Sequence, residues 1–140
     1  MNKKHILCPI DFSEGTSKIV KSAMTLAKAL NAKLTVLTVV EHLSPSVCGQ
    51  VDIHHIQQQM VQEAHKKLTT LAQKYHLNKE QTMIVTGYSK ETILSVAKKL
   101  TVDLIVIGRR GEYSVAHRFL GSTSRTVANA AGCDVYVVHC

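Results

Sequence analysis

The chain has 140 residues, 45% of them apolar, with 17 Lys and Arg against 10 Asp and Glu for a formal charge of +7. That length suits a single domain over residues 1–140, large enough to bury roughly 70% of its unfolded surface. Composition argues against a membrane span, because no apolar run approaches bilayer length. It also argues against a single-strand nucleic-acid platform: aromatic residues make up only 4% of the chain, and the basic residues come as separate pairs, Lys3-Lys4, Lys66-Lys67, Lys98-Lys99 and Arg109-Arg110.

The opening MNKKHILCPIDF has a basic start, but Pro9 and Asp11 end its apolar run too soon for a secretory signal, so a cytoplasmic location is expected. His5–Ile10 reads as a first strand, followed by the loop Asp11-Phe12-Ser13-Glu14-Gly15. A helix then carries the stripe Ile19, Ala23, Leu26, Ala27 and Leu30, with Ser13 as its expected N-cap. Lys33–Val40 is a second strand, and Glu41–Gln50, with Pro45 and Gly49, a connection. A long second helix repeats Ile53, Ile56, Met60, Ala64, Leu68, Leu71 and Tyr75 at helical spacing. Thr82–Thr86 is a third strand, and a third helix turns Ile93, Val96, Ala97 and Leu100 inward with Ser89 as expected N-cap. The fourth strand is Asp103–Ile107 and the fifth Asp134–His139. Between them a small-residue helix runs from about Gly121 to Ala131 and is expected to end on Gly132.

Strands alternating with helices imply right-handed crossovers and an α/β fold. The expected form is a doubly wound, Rossmann-like five-stranded parallel sheet in the order 3-2-1-4-5, with helices on both faces. Several strands lack polar alternation, as strands covered on both faces do. In that order the winding reverses between strands 1 and 4, and ligands bind beyond the carboxyl ends at such a reversal. The topology therefore brings Asp11 close to Gly108.

The segment after strand 4, GRRGEYSVAHRFLGS, spaces its glycines as G-x2-G-x9-G-S from Gly108 to Ser122. Gly108 would end the strand with no side chain over a ligand, Gly111 would permit a tight turn, and Gly121 would open the helix toward phosphates. A helix N-terminus offers unpaired amides and the positive end of a dipole. Ser122 could donate its hydroxyl to a terminal phosphate, Thr123 and Ser124 add hydroxyls and amides, and Arg109, Arg110, His117 and Arg118 add positive charge. The other common phosphate loops are absent: there is no G-x-x-x-x-G-K-[ST], no G-x-G-x-x-G after the first strand, and no S-G-G-x-D-S.

That glycine spacing, the opening Ile6-Leu7-Cys8-Pro9-Ile10-Asp11-Phe12-Ser13 and the closing Cys133-Asp134-Val135-Tyr136-Val137-Val138 together resemble the ATP-binding branch of the universal stress protein family. The resemblance covers the whole chain. It implies a stress-response module that binds ATP, ADP or AMP, with Mg²⁺ held mainly by the phosphates. It implies that Pro9 and Asp11 lie by adenine and ribose, that Val39 packs on adenine, and that Gly108, Gly111, Gly121, Ser122 and Thr123 hold the phosphates. It also implies a homodimer through the last strand, Asp134–His139, which would cover a bare sheet edge. Asp134 departs from the proline that often follows the cysteine in this family.

No catalytic set accompanies the expected cradle. Asp11 would serve the ribose, Glu112 reads as an exposed loop residue and His117 as a solvent or phosphate-side histidine, so ATP hydrolysis is expected to be slow at most. His54-His55 diverge by about 100° on a helix, and His65 and His76 lack a carboxylate or cysteine to complete a metal set. Cys8, Cys48, Cys133 and Cys140 form no C-x-x-C pair and read as reduced thiols. A nucleotide hydrolase and a nucleotide-independent interaction module are the competing readings. A phosphorelay receiver is set aside because strand 3 ends on Thr86-Gly87, without the aspartate it needs.

Overall fold

The computed structural model describes residues 3–45, 52–109 and 119–140. Five parallel strands, β1 (His5–Ile10), β2 (Lys33–Glu41), β3 (Thr82–Gly87), β4 (Leu104–Gly108) and β5 (Asp134–Val138), form one sheet in the order β3-β2-β1-β4-β5. The helices are α1 (Thr16–Ala29), α2 (Ile53–Tyr75), α3 (Ser89–Lys99) and α4 (Ser122–Ala130), with a short 3₁₀ turn at Lys79–Gln81 before β3. Asn78 and Gln81 cap that turn reciprocally, a feature the apolar periodicity does not carry.

Strand alternation divides the core into two layers. Ile6, Cys8 and Ile10 of β1 pack with Ile19, Val20 and Ala23 of α1 and Leu68 and Leu71 of α2. Leu7, Leu37, Ile105 and Ile107 pack on the other side with Ile93, Val96 and Ala97 of α3 and Val127 of α4. Ile6, Leu7, Leu37 and Ile105 are wholly excluded from solvent, as expected for central strands covered on both faces.

The helix ends differ from expectation. Gly15, not Ser13, is the N-cap of α1; the Ser13 carbonyl accepts from the Thr16 amide at 3.0 Å, so Ser13 belongs to the turn before the helix. Tyr88, not Ser89, is the N-cap of α3, and the Ser89 hydroxyl donates instead to the Glu41 carboxylate at the end of β2. Gly132 does not end α4 in the left-handed region: the helix stops on Ala131, which is extended. Three other helices do end that way, without glycine. Asn31 (φ 49°), His76 (φ 55°) and Thr101 (φ 52°) turn left-handed, and the next amides, Ala32, Leu77 and Val102, return to Ala27, Ala72 and Ala97 carbonyls at 2.8, 2.9 and 2.9 Å. His139 lies just past β5 rather than within it.

Candidate functional site

The winding reverses between β1 and β4, and there the sheet opens. Pairing of β1 with β2 runs through six residues to Ile10, whereas its pairing with β4 covers only Ile6 and Leu7. Pro9 has no amide to offer a ladder, which suits a strand that parts from a neighbour. A crevice therefore begins where β1 and β4 separate, at the carboxyl end of the sheet.

Pro9 is buried and, by alternation, shares a face with Leu7; Val39 packs into that same α3–α4 layer. Pro9 pairs with Leu37, so Val39 stands one step farther along β2 toward the open end. Asp11 is exposed at the tip of β1, where its Oδ1 accepts from the Ser13 amide at 3.0 Å. Between them Phe12 adopts φ 60°, a left-handed conformation costly for a bulky aromatic residue. Lys67 of α2 lies over its ring, 5.8 Å from the centroid.

Helix α4 meets this crevice with its N-terminus. Gly121, its N-cap, is extended and, having no side chain, supplies no side-chain cap to the first amides of the helix. The Gly121 amide donates to the Arg109 carbonyl at 2.8 Å, and the Ser124 hydroxyl donates to the same carbonyl at 2.8 Å. These two bonds tie the start of α4 to the end of β4. They also correct the expected role of Ser124: its side chain is buried and committed to the protein backbone, leaving only its amide to face an anion. Ser122 is exposed and Thr123 half-buried.

Gly108 and Arg109 also differ from expectation. A β-carbon on Gly108 would stand 2.5 Å from Ile19 Cδ1 and 3.3 Å from Cys140 Sγ, so this glycine makes room for the protein's own α1 and tail. The Arg109 guanidinium donates to His139 Nδ1 at 3.0 Å, which directs it to the tail following β5. Its amide donates to the Val138 carbonyl at 2.9 Å, and Lys18 of α1 donates to the His139 carbonyl. Cys140 Sγ also lies 2.7 Å from the β-carbon position of Gly15. His139, Cys140 and Lys18 thus hold the two crossover loops together. Sequence reasoning missed them; the only signal was a glycine in each loop, with nothing to say what fills the space. Gly111, Arg110, Glu112, His117 and Arg118 lie outside the described residues, as does Cys48.

No group of three or more His, Cys, Asp or Glu side chains converges for a metal among the described residues. Cys8, wholly buried beside Pro9, is a neutral thiol; burial pushes it up to about 12 from an ordinary value of 9.0. A shallow groove of about 670 Å³ lies elsewhere, between β3 and α3, lined by Met83, Val85, Tyr88 and Val96. Among the described residues, no helix is long and apolar enough to cross a membrane.

Comparison with known proteins agrees with this architecture. The universal stress protein family model matches residues 2–139. Universal stress protein A homolog 1 of Coxiella burnetii is 33% identical over 141 residues, covering 99% of this chain and 97% of its own. Universal stress protein A of Escherichia coli K12 is 26% identical, covering 99% and 95%. Among solved structures, UspA of Lactobacillus plantarum superposes with a TM-score of 0.82 at 28% identity, covering 99% of each chain. A universal stress protein in complex with cAMP shares the fold, with a TM-score of 0.60 at 23% identity over 99% of this chain and 98% of its own.

Proposed function

This chain belongs to the universal stress protein family, and on that premise we propose that it binds an adenine nucleotide, ATP or its ADP or AMP relative, in the crevice between β1 and β4. The observation that carries the reading is the start of α4, which follows β4 at the topological switch point and opens on a glycine N-cap that offers no side chain to its first amides. In this reading Gly121, Ser122, Thr123 and the Ser124 amide hold the phosphates, assisted by Gly111. Pro9 and Val39 supply an apolar wall for the purine, and the Asp11 carboxylate accepts from ribose hydroxyls. Gly108 and Arg109 act through the backbone, by fixing where β4 stops and α4 begins. Mg²⁺, where present, is held mainly by phosphate oxygens and water. A protein of the same fold bound to cAMP gives the purine reading further support.

The module reports nucleotide state to a partner protein, acts in the cytoplasm with reduced cysteines, and pairs with a second copy through β5. Among the described strands β5 is an edge strand that pairs with β4 alone, and its Tyr136 is 48% exposed. Calorimetric titration with ATP, AMP, cAMP and GTP tests the ligand. Saturable binding of adenine nucleotides, abolished in Gly121→Val with the unfolding midpoint unchanged, is the expected result. No adenine-nucleotide binding by pure protein, or equal binding by the variant, would overturn the reading.

A further inference from the structure

The solvent face of α1 and α2 is basic in a way the nucleotide reading does not use. Helix α1 contains Lys18, Lys21 and Lys28 and no acidic residue; α2 contains Lys66, Lys67 and Lys74 against Glu63 alone. All six lysines are exposed. Lys18, Lys21, Thr25 and Lys28 follow one line along α1, the side opposite Ile19, Ala23 and Ala27. Along α2, Lys67 and Lys74 are two turns apart on one line.

Two contacts bring these lines together. The Ser17 hydroxyl and the Tyr75 phenol share a hydrogen bond of 2.8 Å that closes α1 onto the end of α2. Lys67 reaches back over Phe12, just before α1, and Lys74 lies over the Tyr75 ring, 5.3 Å from its centroid. The Ser17 hydrogen bond, then Lys74 and Lys21, hold the Tyr75 phenol below its usual range against the opposing effect of burial. Among the described residues the one ion pair is Lys4–Asp103, elsewhere, and none involves Lys21, Lys67 or Lys74.

We propose that the seam between α1 and α2, where Lys21 follows Ser17 by one turn, Lys74 lies over Tyr75 and Lys67 lies over Phe12, docks an acidic segment of a partner protein. Charge complementarity selects the occupant. A protein segment is favoured over nucleic acid on two grounds. Both helices lack arginine, the residue suited to bidentate phosphate recognition. The two aromatic rings of the seam lie beneath lysine ammonium groups rather than open for base stacking.

The test is fluorescence anisotropy with labelled poly-L-glutamate at about 0.15 M salt, where distant surface charges are screened. The full chain is compared with the triple variant Lys21→Glu/Lys67→Glu/Lys74→Glu and with Lys90→Glu/Lys98→Glu/Lys99→Glu on α3, which changes net charge equally. The seam variant should weaken binding about tenfold or more, and the α3 variant far less. Should either glutamate triple fail to fold, the corresponding glutamine triple replaces it. Equal losses in both triples, or no binding by the unaltered chain, would overturn the proposal. Tighter binding of duplex DNA than of poly-L-glutamate, weakened by the same seam substitutions, would overturn it in favour of a nucleic-acid surface.

Discussion

The δ-methyl of Ile19 lies 2.5 Å from the point where a β-carbon on Gly108 would stand. Ile19 is 3% exposed and anchors the first turns of α1 to the sheet, so the end of β4 and the start of α1 fit against each other through one missing side chain. Gly108→Ala should therefore cost about 1–3 kcal/mol, as overpacking of a tight core does. Ile19→Val removes the offending methyl at a cost of about 0.5–1.5 kcal/mol. Gly108→Ala introduced into Ile19→Val should then be nearly free, a coupling that urea denaturation of the four proteins measures directly. Additive losses would mean that the two positions do not share this space.

Thr101 ends α3 with φ 52°, and its β-branched side chain is strained there. Val102 completes the turn by bonding the Ala97 carbonyl at 2.9 Å, so the backbone arrangement suits glycine. Thr101→Gly should raise stability despite the added freedom of the unfolded chain, by a few tenths to about 1 kcal/mol. A lowered thermal midpoint would show that the side chain contributes more than its strain costs.

The order of elements and the sheet topology were legible because apolar periodicity and length constrain them strongly. Val36, Leu37, Ile105 and Val106 are apolar on consecutive positions and are all buried, as both-faces-covered strands require. Helix ends were not legible to the same degree. Glycine at 132 suggested a left-handed end, yet the chain uses Asn31, His76 and Thr101 for that conformation, since tertiary packing outweighs a penalty of a kilocalorie or so. In the candidate site, the position of Asp11 after β1 and of the glycine segment after β4, at neighbouring carboxyl ends of the sheet, followed from topology. The inward turn of Ser124 and the pairing of Arg109 with His139 did not, because each depends on a partner far along the chain or on a buried carbonyl in need of a donor.

His5 should make the protein sensitive to mild acid. Desolvation by burial lowers its titration below the ordinary 6.5, with Lys33 adding to the effect while a Leu100 backbone hydrogen bond and Asp103 oppose it. Its Nε2 also meets the Thr35 hydroxyl at 2.8 Å. The folded value is depressed, so the unfolded chain takes up the proton first. The contribution is complete above pH 6.5 and is lost as pH falls toward the folded value. Urea midpoints of the unaltered protein should therefore decline between about pH 7 and 5 more steeply than those of His5→Gln. Parallel declines would remove His5 as the cause.

Pairing of two copies through β5 should depend on Tyr136, the exposed aromatic residue of that strand. Sedimentation velocity should give a dimer for the unaltered chain and a monomer for Tyr136→Lys, because a charge opposite its own copy blocks edge pairing. A monomeric unaltered chain, or a variant that stays dimeric, would contradict this assembly.

Backbone amide resonances followed during titration with ATP examine the central claim at the residues themselves. Ser122, Thr123 and Ser124 should shift together with Asp11 and Val39, saturating at a single midpoint, while Tyr88 and Val96 in the β3–α3 groove stay fixed. Shifts confined to that groove, or no saturable shift at the start of α4, would contradict an adenine nucleotide seated where β1 and β4 part.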